Sequence, residues 1–295
     1  LMAKTGYVVS NGYVNINKMR ELADRFKALF LKHCCDVEVV STAEIYPIIQ
    51  NNGSIEIKGL SRSDFILFWD KNVLLAQVLE KAGHKLYNSS KAIQICDNKI
   101  YTHNYLSGHN IKMPKTLPMP LVFEGSPYYN ETFINNAEKE IGYPMIIKEA
   151  YGSFGQQVYL CYDRRQVDAL VKKLKYKPYL FQQFISESKG RDIRIFVVGG
   201  KVVASMLREN DNDFRANISI GGKMTAITPP KEYMDVAVKA ANIIGLDYCG
   251  VDLLIGSGGP LLCEVNSNAH FKNIQICSGI DVAEHFVKYI IGDAI

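Results

Sequence analysis

The chain has 295 residues, of which 47% are hydrophobic and 22% charged, with 34 Lys and Arg against 30 Asp and Glu. That length accommodates one large domain or two to three small ones, and the near-average apolar and charged fractions exclude a disordered or fibrous chain. A formal charge of +4 is too small for a polyanionic partner, and no apolar run reaches the ~18 residues of a membrane span, so neither nucleic acid nor a membrane is expected.

Residues 6–10 read as a strand and Asn11-Gly12 as a turn, after which Met19, Leu22, Phe26, Leu29 and Phe30 recur at helical spacing. Residues 37–40 and 64–69 read as strands, 73–82 as a helix stopped by Gly83, and 85–87 as a strand. Alternating strands and helices predict a small parallel α/β domain, and the absence of GxGxxG after its first strand removes a dinucleotide site. One helix is expected over 91–106, followed by a linker-like stretch with Pro114, Pro118 and Pro120. Helices over 132–140 and 165–174 and strands over 144–148, 158–162 and 179–184 form an α+β pattern. Hairpins follow at 193–207, around Gly199-Gly200, and at 249–265, around residues 256–259. Helices are expected at 231–244 and 280–291. Residues 1–6 lead into the first strand without a signal-peptide pattern. The seven cysteines are odd in number and lack CxxC spacing, and the six histidines lack HExxH. Reduced, mostly buried thiols in a cytoplasmic protein are expected, and a zinc hydrolase is disfavoured.

Three features carry chemistry. Lys148 ends a strand and is followed by Gly152-Ser153-Phe154-Gly155-Gln156-Gln157. Glycines allow backbone N–H groups to face phosphate oxygens, and a lysine adds a point charge, although a functionless hairpin loop reads equally well from these residues alone. Second, Asp252 lies on one strand of the last hairpin, with Glu264 and Asn266 on its partner. Spacing of two puts Glu264 and Asn266 on one face, and pairing brings Asp252 opposite. Two carboxylates and an amide oxygen are hard ligands that suit Mg²⁺, and apolar neighbours make unpaired carboxylates costly, which favours a metal over an exposed polar face. Third, Arg191, Arg194, Arg208 and Arg215, with Asn217, lie between loop and hairpin. Such forks suit phosphates and carboxylates, though each taken singly reads as a surface charge, and Asp192 reads as an ion-pair partner for one of them.

In this order the parts resemble an ATP-grasp enzyme. Residues 190–217, followed by GVDLL and CEVN, are most similar to the RimK-like amino-acid ligases of the glutamate-ligase type. The resemblance implies a pre-ATP-grasp α/β domain over 1–95, a central ATP-grasp subdomain over 96–185 and a C-terminal one over 186–295. By resemblance, Lys99 and Lys148 contact ATP phosphates, and Gly152, Ser153, Phe154 and Gly155 belong to the loop that closes over them. Gln183, Phe184 and Ile185 belong to the hinge strand that reads adenine, and Glu187 contacts ribose. Asp252, Glu264 and Asn266 hold magnesium, while Arg208, Arg215 and Asn217 surround the transferred phosphoryl group and the acyl-phosphate.

The sequence departs from the family where Gln157 replaces a glycine late in the loop. It departs again where residues 267–271 (Ser-Asn-Ala-His-Phe) replace a Pro-Gly turn. His270 in that loop is a candidate for substrate contact or for removing a proton from an amine, with a plain loop histidine as the simpler reading. The implied chemistry is ATP-dependent amide formation through an acyl-phosphate, with ATP, Mg²⁺ (or Mn²⁺) and small carboxylate and amine substrates, an amino acid or peptide among them. A homo-oligomer is left open. An ATP-grasp kinase and a non-catalytic ATP-binding module are the alternatives. Asn11, Tyr13, Trp69 and Asp70 are candidate acceptor-pocket residues, and Arg191 or Arg194 would suit a carboxylate substrate. Asp252→Ala or Glu264→Ala is expected to abolish ADP formation with little loss of folding.

Overall fold

The first strand forms as β1 (Thr5–Ser10) in a computed structural model that describes residues 4–14 and 16–293. Residues 1–3 of the expected strand approach lie outside the described residues. Helix α1 (Ile16–Lys32), β2 (Asp36–Ser41), β5 (Phe65–Trp69), α2 (Val73–Lys81) and β6 (Leu86–Tyr87) complete the predicted α/β unit, interrupted by a hairpin of β3 (Tyr46–Ile49) and β4 (Ile55–Lys58) that the sequence reading did not anticipate. The sheet is parallel throughout, ordered β2-β1-β5-β6. The chain leaves β1 for β2 on one side and meets β5 on the other, so the carboxyl ends of β1 and β5 form a switch point. Asn11 and Asp70 sit there, immediately after the two strands.

The single helix expected over 91–106 is two: α3 (Ser90–Asp97) and α4 (Lys99–Leu106). Asn98 breaks them. Its backbone is extended, and its side chain accepts the N–H groups of Ile100 and Tyr101, starting a new helix one residue after the old one ends. Residues 95 and 96, where the sequence reading divides the chain, both lie inside α3. Ala92, Ile95, Cys96 and Leu106 pack against the C-terminal sheet.

The central sheet is ordered β7-β10-β8-β9. Its strands are β7 (Thr116–Pro118), β8 (Met145–Glu149), β9 (Val158–Cys161) and β10 (Tyr179–Gln183), with α5 (Glu131–Ile141) and α6 (Arg164–Leu174) on one face. The proline-dotted linker thus contributes an edge strand, where a missing N–H is tolerated. Met145, Ile147, Tyr179 and Phe181 face the helices in one core, and the alternate residues Ile146, Lys148 and Gln182 face a cavity.

The C-terminal sheet is antiparallel, ordered β13-β12-β11-β14-β15. Its strands are β11 (Arg191–Val198), β12 (Lys201–Glu209), β13 (Lys223–Ala226), β14 (Tyr248–Gly256) and β15 (Gly259–Asn266). On one face α7 (Lys231–Ile244) packs over Ile193, Ile195, Val197 and Val251. On the other, Phe196, Val198 and Tyr248 share a core with α1, Trp69, the short α8 (Lys272–Ser278) and α9 (Val282–Ile291). All seven cysteines are free thiols, four of them buried. Among the described residues no helix is long and apolar enough to cross a membrane.

Candidate active site

A cavity of about 770 Å³ opens where the three main sheets meet. Cross-strand register builds its floor. Arg194 on β11, Asp252 on β14 and Glu264 on β15 lie directly opposite one another, and Asn266 is two residues beyond Glu264 on the same face. Asp192 and Arg208 are the adjacent cross-strand pair. Arg194 donates to both oxygens of Asp252 at 2.6 Å, and Arg208 donates to both oxygens of Asp192 at 2.6 and 2.7 Å. Arg208 also reaches Asp252 at 3.0 Å, linking the two pairs. Burial opposes the Asp252 charge, but the guanidinium groups of Arg194 and Arg208 outweigh it and hold the carboxyl down at about 2. For Asp192 burial is the larger influence and shifts the carboxyl upward. Asp192 therefore pairs with an arginine as the sequence reading expects, and Arg208 is buried between two carboxylates.

Two lysines close the other side. Lys99 and Lys148 are both buried. The Lys99 ammonium lies 3.1 Å from the Gly152 carbonyl and 3.4 Å from Glu264, and Lys148 lies 3.4 Å from the Cys263 sulfur. The glycine loop between β8 and β9 hangs over them. Arg215 donates to the Gly155 carbonyl at 2.6 Å, and Ser219 to that of Phe154 at 3.3 Å. Gly155 has a left-handed backbone (φ +73°), and a Cβ there would stand 2.6 Å from Asn217 Oδ1, so glycine is required. The Ser153 N–H is accepted by the Gln157 side chain at 3.2 Å. Gln183, Phe184 and Ile185 line the wall beside Ile146, Met206 and Leu254. Glu187, expected at the ribose, is not among the lining residues; its carboxylate accepts from the Ser186 hydroxyl.

The far end is built partly by the N-terminal sheet. Asn11, Trp69 and Asp70 line it, whereas Tyr13 is 76% exposed and does not. Asp70 is a scaffold: it accepts both Asn11 contacts at 3.0 and 3.1 Å and the N–H groups of Lys71 and Asn72, while its own carbonyl accepts from Asn268. Lys18, Lys71, Lys272 and Arg194 make this end cationic. Lys18, Lys71 and Lys272 escaped the sequence reading. Each lies on a different element, and only the fold brings them together. His270 also lines this end, its ring stacked on Phe154 with centroids 6.0 Å apart.

A sequence profile of the RimK-like ATP-grasp domain matches residues 96–290. The chain belongs to the RimK-like ATP-grasp family. It is 35% identical over 225 residues to the beta-citrylglutamate synthase B of Danio rerio, covering 75% of this chain and 54% of that protein. It is 34% identical over 269 residues to a probable alpha-L-glutamate ligase of Maridesulfovibrio salexigens, covering 86% of each. The chain thus spans about half the length of the vertebrate relatives it matches. In fold it matches the ATP-grasp ligase PsnB, solved with a phosphomimetic variant of a minimal precursor, Mg and ADP, with a TM-score of 0.72 at 19% identity over 97% of each chain. A parallel α/β unit followed by an ATP-grasp body, as the sequence reading expects, is the architecture observed.

The donor chemistry of this RimK-like site suits a divalent cation and a nucleotide. Asp252 is ionised, Glu264 is partly open to the cavity, and the buried Asn266 amide nitrogen has no hydrogen-bond partner. That orphaned N–H donor is the kind of group that a phosphate oxygen satisfies, while a cation would be held through the Asn266 side-chain oxygen. Among the described residues no three His, Cys, Asp or Glu side chains form a metal cluster, so the set is two acids and an amide, hard oxygen donors suited to Mg²⁺ rather than zinc.

Proposed function

We propose that the protein is an ATP-dependent carboxylate–amine ligase that forms an amide through an acyl-phosphate and releases ADP and phosphate. The observation that carries this reading is one cavity with two chemically different ends. At one end an apolar wall beside Phe184 and Ile185 leads to Lys99, Lys148, the glycine loop and the Asp252–Glu264–Asn266 face. At the other, Lys18, Lys71, Lys272 and Arg194 surround space for a second, anionic substrate. A non-catalytic binding module has no need of that second chamber next to the phosphates, and a kinase, which would also seat an acceptor there, differs from a ligase in its products.

In this reading Phe184 and Ile185 seat the base, and Lys99, Lys148 and the loop hold the phosphates. Asp252, Glu264 and Asn266 hold Mg²⁺, which would neutralise phosphate charge. Arg215 and Asn217 lie against the loop tip, where charge moves from phosphate to acyl group. Gln183 belongs to the hinge. Arg208 acts through Asp252 and Asp192, and Glu187, two residues past Ile185, would contact the ribose. The domain roles follow the sheets: the N-terminal sheet frames the substrate end, the central sheet supplies loop and hinge, and the C-terminal sheet carries the metal face. The relatives' names make glutamate the first amine to test, and the cationic end suits carboxylates on either substrate.

A screen of amino acids and small carboxylic acids for paired dependence of ADP release, with mass spectrometry of products, tests this. An amide that appears with stoichiometric ADP and phosphate supports the ligase. A phosphorylated compound without ligation supports the kinase instead, and AMP release overturns both.

A further inference from the structure

Residues 267–271 are where this chain departs from its family, and the structure holds them in place from three sides. Asn268 donates to the Asp70 carbonyl at 2.9 Å, the Ser267 carbonyl accepts from Asn88 at 3.0 Å, and the Ala269 carbonyl accepts from the buried Tyr248 hydroxyl. Phe271 is buried against Phe26 and Trp69. His270 lines the cavity together with Asn268 and Ala269, and is the ionisable residue of the segment. Its ring lies nearly parallel to Phe154 (27°) at the tip of the glycine loop, and among the described residues neither ring nitrogen has a hydrogen-bond partner.

The rest of the cavity makes that vacancy informative. Asp192 and Asp252 are paired with arginines, Asp70 is saturated by N–H donors, and Glu264 faces Lys99. Burial pushes the Cys263 thiol up, so it is a poor base. The remaining ionisable groups there are lysines and arginines. An amine that attacks an acyl group carries a surplus proton once its C–N bond has formed, and cations cannot take it. We propose that His270 is the catalytic base that receives this proton, with Phe154 stacking on the ring so that the base is aligned when the loop is closed.

The step balances. The amine lone pair forms the C–N bond, the acyl–O bond to phosphate breaks with its electrons leaving on phosphate, and the amine proton passes to a His270 ring nitrogen and then to solvent. His270 is ready for this at neutral pH. Burial, reinforced by the charges of Lys18 on α1, Arg194 on β11 and Lys71 after β5, holds the imidazole below its usual 6.5 and therefore unprotonated. A proton bound to nitrogen in a tetrahedral adduct is acidic enough for such a weak base to accept.

The inference rests on the ligase reading, and the test separates the two. Hydroxylamine is a free base at neutral pH and so weakly basic that its adduct loses the surplus proton to water without a positioned base, so it traps the acyl-phosphate as a hydroxamate. Wild-type enzyme should form both the natural amide and, with hydroxylamine, the hydroxamate. In His270→Asn and His270→Gln, amide formation should fall about 10²-fold or more while hydroxamate formation stays within about twofold. The acid limb of the wild-type pH profile for ligation should disappear in both. Independently of activity, the imidazole NMR resonance lost in His270→Asn should titrate below the ordinary histidine range. Equal loss of amide and hydroxamate would make His270 structural, and no loss of either would remove it from the reaction. Absence of ATP-dependent hydroxamate in the wild type would overturn the ligase reading itself.

Discussion

Asp252 shows how a residue's chemistry and its stability role become entangled. The sequence reading expected Asp252→Ala and Glu264→Ala to be equally harmless to folding, but the two carboxylates are held differently. Asp252 is fully buried between Arg194 and Arg208, whereas Glu264 is partly exposed and meets Lys99 at 3.4 Å. Removing Asp252 strands the largely buried Arg194 guanidinium and takes from Arg208 one of its two carboxylate partners, which costs on the order of 3 kcal/mol. Its depressed carboxyl makes that contribution fully present above pH 3.8 and lost as pH falls through about 2. Glu264→Gln should shift stability by about 0.5 kcal/mol or less. Urea denaturation should therefore separate the variants, and ADP release should be lost in both. An Asp252→Ala protein as stable as Glu264→Gln would show that the arginine network is dispensable. The acids, Lys148 and the arginines of this site were readable because hard ligands and anion binders are distinctive residue types, whereas Lys99 came only with the family resemblance and Lys18, Lys71 and Lys272 not at all. The pairing of acids with arginines was not readable, because the Arg194–Asp252–Glu264 row depends on register between strands 58 and 12 residues apart in the chain.

At the scale of elements, strongly periodic or glycine-punctuated segments were legible and short or capped ones were not. Helix α7 buries Tyr233, Ala237, Ala240, Ala241 and Ile244 on one face and stops at the left-handed Gly245, as its pattern announces. The α3–α4 break escaped because both halves carry helical patterns and one Asn98 side chain separates them. Strands β3, β4, β7 and β13 are three or four residues long, too short to show alternation. The glycine loop was legible as a loop between two strands, yet the glutamine that occupies its Ser153 N–H was not. Gln157→Ala should free that N–H and loosen the loop, raising hydrogen exchange at 152–156 in the nucleotide-free protein without moving Tm by more than about a degree. Gly155→Ala should be worse, because it forces a side chain into a left-handed backbone, at about 1–2 kcal/mol, and against Asn217 Oδ1. Its KM for ATP should rise by about tenfold. Unchanged exchange in the first variant would show that the Gln157 contact does not hold the loop.

For the molecule as a whole, the alternation of sheets suggests three independent units, but the packing joins two of them. The N-terminal sheet and the C-terminal sheet share one continuous core through Phe26, Trp69, Tyr248, Phe271 and Phe286, with ring centroids 4.9–5.7 Å apart in successive pairs. Asn88 reinforces the joint, donating to the carbonyls of Tyr248 and Ser267 and accepting the N–H groups of Asp247 and Tyr248. The central sheet, by contrast, fills its core from its own helices. The cationic end of the cavity is therefore framed by one shared core, and residues from both sheets, Asn11 and His270 among them, line it. The lone tryptophan, Trp69, stands in that joint. Phe286→Ala on α9 removes a fully buried ring, which costs about 3–5 kcal/mol. If the joint is continuous, Trp69 fluorescence should report the same lowered unfolding midpoint as circular dichroism, although the substitution lies in the C-terminal helix more than 200 residues away. A tryptophan transition that stayed at its wild-type midpoint would mean that the N-terminal unit unfolds by itself, and that the two sides of the substrate chamber are free to move apart.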